Sequence, residues 1–281
     1  MRVVKSIQPL RQLIKQAKQK GKTIGFVPTM GALHEGHASL LKKSRKENDI
    51  SILSIFINPT QFGPHEDLNK YPREFNHDRR LAEQGGVDIL FYPSAKTIYP
   101  REYLTYIEVN GITNLLCGCT RPGHFKGVTT IVGKLINIIN PDCMYVGQKD
   151  AQQAVVIKKM VSDLNFDVDV KVCPIIREPD GLAMSSRNRY LSPQQRREAP
   201  ILSQSLKKAK KIISSGERNP QKIIRLITSN IKQNSTGMIE YIECVNADTL
   251  TPLKILTGNI LVALAVKFGS TRLIDNMVVR S

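Results

Sequence analysis

Two imidazoles one helical turn apart, His34 and His37, stand in the string Pro28-Thr29-Met30-Gly31-Ala32-Leu33-His34-Glu35-Gly36-His37. On a helix such a pair shares one face. Two ring N–H groups there can donate to a phosphate as negative charge builds on it. Gly31 and Gly36 let the backbone approach a ligand closely. A helix starting here would aim its first N–H groups and the positive end of its dipole at the same anion. A zinc pair is the alternative chemistry, but His-x-x-His with no evident third ligand matches metal spacing poorly.

Three more clusters have the right residue types for chemistry. Residues 54–63 include Asn58-Pro59-Thr60-Gln61, whose side-chain amides can read a hydroxy acid or an amine through paired donors and acceptors. Taken alone, Asn58-Pro59 also reads as an ordinary polar turn. The run Gly147-Gln148-Lys149-Asp150-Ala151-Gln152-Gln153 supplies a mobile cation for phosphate in Lys149, and Asp150 at a helix start, where it could equally be an N-cap. Met184-Ser185-Ser186-Arg187-Asn188 combines two hydroxyls with a guanidinium fork, a set that can bracket a triphosphate. The stretch Arg121-Pro122-Gly123-His124-Phe125-Lys126-Gly127-Val128 reads as a loop leading into a helix, with His124 a secondary candidate.

The elements that must position these side chains follow from apolar periodicity. The pattern predicts helices over 6–20, 36–46, 74–84, 129–139 and 151–164. It predicts apolar strands over 23–27, 51–57, 87–92 and 143–146, and an alternating strand near a sheet edge over 167–172. Buried strands separated by helices imply a parallel sheet with helices on both faces. Ligands in such folds bind outside the carboxyl ends of the strands, where the first three clusters fall. After about residue 175 the pattern changes. Two amphipathic helices (193–214 and 220–233) precede three strands (238–245, 259–267 and 271–279). The expected fold is therefore α/β: a Rossmann-like sheet over 1–176, then a smaller α+β domain over 177–281. The boundary falls where Pro174, Pro179 and Gly181 punctuate the chain. Residues 184–188 lie just beyond it, as a loop that could close over a nucleotide.

The bulk composition narrows the partners. The 281 residues are 41% hydrophobic, with no apolar run near the roughly 20 residues of a membrane helix. No signal peptide is read at the N-terminus, so the expected compartment is the cytoplasm. Five scattered cysteines (Cys117, Cys119, Cys143, Cys173 and Cys244) argue for reduced thiols rather than a disulfide framework. The net charge of +17 invites a nucleic-acid reading. However, there is no Trp and no interleaving of aromatic with basic residues. The cluster Lys207, Lys208, Lys210 and Lys211 is expected to be a solvated helix face. No nucleic-acid or membrane partner is expected, and the charge suits anionic small substrates.

The first string resembles the HIGH signature of nucleotidyl transferases and class I aminoacyl-tRNA synthetases, which attack the α-phosphate of ATP and release pyrophosphate. Read at full length it closely matches the pantothenate synthetase (pantoate–β-alanine ligase) family. The 54–63 run, Tyr71-Pro72-Arg73, the 121–128 and 147–153 runs and residues 177–188 match the same family. Beyond Tyr190 the likeness rests on length and layout. The resemblance implies ATP-dependent joining of pantoate to β-alanine through pantoyl adenylate. It implies ATP contacts from Met30, Gly31, Ala32, Leu33, His34, Glu35, Gly36 and His37, from Gly147, Gln148, Lys149 and Asp150, and from Ile176, Met184, Ser185, Ser186 and Arg187. His34, His37, Lys149, Ser185, Ser186 and Arg187 would carry the catalysis. Gln61 and Gln153 would bind pantoate, and Asn58 would help hold β-alanine. Magnesium would accompany ATP, and a homodimer is expected. Two positions depart from the family pattern: Gln148 stands where relatives also carry Glu, and Asn76-His77-Asp78 offers one carboxylate, Asp78, as a magnesium ligand where relatives can carry two. The competing readings are another HIGH-type nucleotidyl transferase, which would lack the Pro59–Phe62 and 147–153 motifs, and a basic nucleic-acid-binding protein, which would bind polyanions in a salt-sensitive way.

Overall fold

Apolar runs bounded by Gly, Pro and Asn become strands in the computed structural model, which describes every residue except His65. In chain order the first elements are β1 (Arg2–Val4), α1 (Ile7–Gln19), β2 (Ile24–Thr29), α2 (Glu35–Glu47), β3 (Ile50–Ile55), α3 (Phe75–Gln84), β4 (Ile89–Phe91) and α4 (Ala95–Ile98). There follow α5 (Cys117–Thr120), α6 (His124–Ile139), β5 (Cys143–Gly147), α7 (Ala151–Asp163) and β6 (Asp169–Cys173). The last are α8 (Pro193–Glu198), α9 (Ile201–Ser214), α10 (Pro220–Asn234), β7 (Met238–Asn246), β8 (Asn259–Phe268) and β9 (Thr271–Arg280).

The chain forms two compact units. The first comprises Met1–Asn110, Arg121–Gly147 and Val156–Cys173; the second comprises Gly111–Thr120, Gln148–Val155 and Pro174–Ser281. Sequence punctuation put one boundary at 176/177, whereas the second unit begins at Pro174 and also takes in two earlier segments. Those segments are too short to show a composition shift.

The first unit is built on a six-stranded sheet, ordered β1-β4-β3-β2-β5-β6, with every pairing parallel. The strand over 167–172 is an edge strand, as its alternation suggests. β1 was not read from the sequence, because three residues are too few to show a period. Val27, Leu53, Leu90 and Tyr145 face Leu40 and Leu41 of α2. Phe26, Ile52, Phe91 and Met144, one position away, are also buried, so both faces of the sheet are covered. From β4 the chain crosses back to place β5 beside β2. The strand order therefore reverses between β2 and β5, and their carboxyl ends open at that switch point. Pro28 does not end β2; the strand continues to Thr29. A central strand tolerates this proline because β5 pairs with β2 only at Gly25 and Phe26.

The second unit centres on the antiparallel sheet β7-β8-β9. One face packs on α9 and α10 through Leu202, Leu206, Ile227 and Ile231. The other face packs Leu261 and Ala263 on Leu116 and Ala151. This double cover explains why β8 reads as a nearly unbroken apolar run. The single helix expected over 193–214 is two, α8 and α9, parted at Ala199-Pro200. A proline lacks the N–H an interior helical position needs. Lys207, Lys208, Lys210 and Lys211 lie on the exposed side of α9.

Candidate active site

The loop from β2 to α2 starts where the backbone turns left-handed, at Gly31 (φ 86°) and Ala32 (φ 51°). A Cβ on Gly31 would come within 2.9 Å of Asp78 Oδ2 and 3.0 Å of Ile55 Cγ2, so the position admits only glycine without a shift. Ala32 carries strain of about 1–3 kcal/mol, and its surroundings hold it there. The Ala32 N–H donates to Asp78 Oδ2 (3.0 Å) and the Leu33 N–H donates to Asp78 Oδ1 (2.7 Å).

Asp78, on α3, is buried. Burial pushes its pKa up, and the bonds from Leu33 and Ala32 oppose that shift. With both oxygens engaged in this way, Asp78 fixes the loop, a duty that the magnesium expectation did not foresee. Among the described residues no group of three His, Cys, Asp or Glu side chains gathers to hold a metal ion. Among the described residues, then, the side chains do not build a resident magnesium site of that kind. Asp78→Ala should leave two buried N–H groups without acceptors and destabilise the protein by about 1–3 kcal/mol for each. Thermal unfolding should show the melting temperature falling accordingly, and an unchanged melt would mean the loop finds other acceptors.

The two histidines close the first turn of α2 reciprocally. His34 Nδ1 accepts from the Gly36 N–H (3.1 Å), and His37 Nδ1 accepts from the His34 N–H (3.3 Å). Their ring centroids are 4.1 Å apart. A nitrogen that accepts from a backbone N–H carries no proton, so each neutral ring holds its proton on Nε2. The cap thus selects the tautomer and makes Nε2 the donor nitrogen of each neutral ring, at a helix N-terminus beside the switch point. Glu35 is exposed, and Gly36 and His37 are half-buried.

After β3, the Asn58–Gln61 turn is buttressed from several sides. Asn58 Nδ2 donates to Gln61 Oε1 (3.2 Å) and to the Gly127 carbonyl (3.0 Å). Asn58 Oδ1 accepts from Tyr99 Oη (2.8 Å) and Thr60 Oγ1 (3.0 Å). Both amide hydrogens of this buried side chain are spent within the protein, which lets Asn58 position Gln61. Gln61 Nε2 donates toward Met30 Sδ (3.0 Å). The Gln61 carbonyl accepts from His124 Nδ1 (2.8 Å), and Arg121 donates to His124 Nε2 (3.0 Å) while paired with Glu66. His124 is therefore buried support for the turn. Burial raises the Glu66 pKa, but the Arg121 hydrogen bond and charge outweigh it and hold the carboxyl below its ordinary value. A cleft of about 180 Å³ opens beside Met30, Ile57 and Asp78. Gly147 ends β5 on the other side of the switch point.

The remaining sequence-assigned residues belong to the second unit. Gln148–Asp150 form a short 3-10 turn that opens α7, with Lys149 half-buried and Asp150 exposed. Gln153 is half-buried one turn on. Its neighbour Gln152 is buried; it accepts from the Cys117 N–H and donates to the Ile112 and Leu115 carbonyls, pinning the segment around α5. The Met184 N–H donates to the Ile176 carbonyl (3.0 Å). Ser185 Oγ accepts from the Arg187 N–H (3.3 Å) at the start of a 3-10 turn, Ser186–Tyr190. The sequence reading missed Gly127, Tyr99, Asp275 and Asn276 as site supports. Gly127 lay within the 121–128 run without a role of its own, and Asp275 and Asn276 left a signal as a polar pair interrupting the apolar pattern of β9.

A parallel α/β sheet with phosphate-type donors at its switch point defines a nucleotide-handling class of fold. The comparisons specify it further. The sequence pattern of the family described as Pantoate-beta-alanine ligase matches residues 2–278, and this chain belongs to that family. It is 57% identical to the pantothenate synthetase of Acetivibrio thermocellus and 55% identical to that of Caldicellulosiruptor saccharolyticus, over 99% of each chain in both cases. Its fold superposes on the crystal structure of pantothenate synthetase from Thermus thermophilus with a TM-score of 0.95, at 39% identity over 100% of both chains. It superposes on the pantoate-beta-alanine ligase of Francisella tularensis, crystallised with beta-gamma ATP and beta-alanine, with a TM-score of 0.82, at 37% identity over 99% of this chain and 97% of that one.

Proposed function

We propose that this chain condenses pantoate with β-alanine at the expense of ATP, through pantoyl adenylate, and releases pyrophosphate and then AMP. The observation that carries the reading is the His34–His37 pair at a helix start, whose Nδ1 atoms both accept backbone N–H groups, so that Nε2 is the donor nitrogen of each neutral ring. Membership of the ligase family along nearly the whole chain supplies the substrates.

In the first step a pantoate carboxylate oxygen attacks the α-phosphorus of ATP, and the bond to pyrophosphate breaks. His34 and His37 donate to the phosphate oxygens as charge grows on them. Lys149, Ser185, Ser186 and Arg187 take the remaining phosphate charge on the strength of the family resemblance. Such chemistry is accelerated by positioning and electrostatics rather than by covalent help. Gln61, held by Asn58, and Gln153 orient pantoate. In the second step the β-alanine amine attacks the acyl carbon, loses a proton, and AMP departs. Magnesium enters as part of the MgATP substrate, held by phosphate oxygens. Cytoplasmic residence and a homodimeric state belong to the same proposal. No helix among the described residues is long and apolar enough to cross a membrane, and the five cysteines are free thiols.

The test is release of pyrophosphate and AMP from ATP with each substrate omitted in turn. Pyrophosphate should appear with pantoate alone, at no more than stoichiometric yield, and AMP should accumulate only when β-alanine is added. Release indifferent to pantoate would overturn the reading.

A further inference from the structure

The second unit has two segments with phosphate-type side chains, the Gln148–Asp150 turn and the Ile176 to Arg187 hairpin. Both are tied to adjacent residues of one strand. Neighbouring residues on a strand point to opposite faces, so two consecutive positions can grip two separate segments. On β9 those positions are Asp275 and Asn276, both buried at 3% exposure.

Asn276 Nδ2 donates to the Gln148 carbonyl (3.0 Å) and to the Lys149 carbonyl (2.9 Å), while its Oδ1 accepts from Gln148 Nε2 (3.0 Å). The amide thus spends both hydrogens on two consecutive carbonyls and fixes the peptide that carries Lys149. Asp275 accepts both arms of the Arg177 guanidinium, at 2.7 and 2.9 Å. Arg177 also donates to the Gly181 carbonyl (3.1 Å) and bridges Ala183 across the hairpin. Asn188 Nδ2 donates to Glu178 Oε1 (2.7 Å) and to the Ala183 carbonyl (3.1 Å), which fastens the far end of residues 184–187. The dyad is internally locked, since the Asn276 N–H donates to Asp275 Oδ1 (2.7 Å). A bidentate fork and a doubly donating amide each fix orientation as well as distance.

We propose that Asp275 and Asn276 are positioning residues for nucleotide chemistry, setting Lys149 and Ser185–Arg187 in one rigid frame through β9. This rests on the reading that those side chains meet the triphosphate. Neither dyad residue touches substrate; each acts through the backbone it holds.

The test compares wild type with Asn276→Asp, which keeps the shape but cannot donate to the two carbonyls, and with Arg177→Lys, which keeps the charge but loses the fork. Kinetics are measured separately for ATP and pantoate, with circular dichroism to confirm folding. Misplacement of a reacting group by about 1 Å can lower rate by roughly a hundredfold. Asn276→Asp should lower kcat/KM for ATP by about that factor, and Arg177→Lys by about tenfold, with KM for pantoate within about twofold of wild type. Arg177 is only partly buried, so its variant remains informative should Asn276→Asp fail to fold. A kcat/KM for ATP within about threefold of wild type in a folded variant, or equal damage to both substrates, would overturn the dyad proposal. An inactive wild type would instead remove the ligase reading, and the dyad's role with it.

Discussion

His37→Ala should lower kcat for pyrophosphate release by about a hundredfold to a thousandfold in a protein that still folds. The magnitude follows from removing one preorganised donor to a developing anion. The ring has two duties. Its Nδ1 accepts the His34 N–H within the cap of α2, and its Nε2 is left as the donor. Loss of the first duty alone should lower stability by about 1 kcal/mol, as for other caps, a small effect beside the kinetic one. His37→Asn separates them, because a side-chain carbonyl can still accept the His34 N–H while the amide donates from a shorter arm. That variant should melt near wild type and recover only part of the rate. Steady-state kinetics with a thermal melt on each variant decide the matter, and near-normal turnover in His37→Ala would take the residue out of the mechanism.

Gly127→Ala should cripple pantoate use without any change in a substrate-facing side chain. A Cβ at Gly127 would lie 2.4 Å from the Thr60 carbonyl oxygen and 2.6 Å from both Cα and N of Gln61. All three are backbone atoms, so no side chain can swing aside. The Gly127 carbonyl also accepts from Asn58, which orients Gln61. The turn must therefore move bodily away from α6, carrying Gln61 with it. Overpacking of this kind destabilises by about 1–3 kcal/mol. Displacing the turn should reduce kcat/KM for pantoate by roughly a hundredfold, with KM for ATP changing much less. A folded variant with normal kcat/KM for pantoate would show that the turn is not the pantoate-binding element.

The chemistry-bearing side chains were the legible part of both units. His34, His37 and Gln61 in the first unit, and Lys149 in the second, occur in compact strings at strand ends, and apolar periodicity located those ends to within a few residues. Asp78 was legible as a lone carboxylate but not in its duty, because its partners Ala32 and Leu33 lie 46 and 45 residues away and are backbone groups, which have no sequence identity to read. Asn58 was read as helping to hold β-alanine, and the structure adds three partners within the protein, Gly127, Tyr99 and Thr60. Only one of those is a sequence neighbour.

What the sequence determined by itself was local: which segments twist into strands or helices, which faces are apolar, and which reactive side chains follow each strand. These depend on periods of two and of about 3.6 residues, and so on near neighbours. The tertiary structure alone decided the hold of Asp78 on the Ala32 and Leu33 N–H groups, the close approach at Gly127, and the grip of Asn276 on a turn 127 and 128 residues earlier. Each of these depends on a hydrogen bond or a steric contact whose partner is chosen by packing, and packing joins residues that no local period relates.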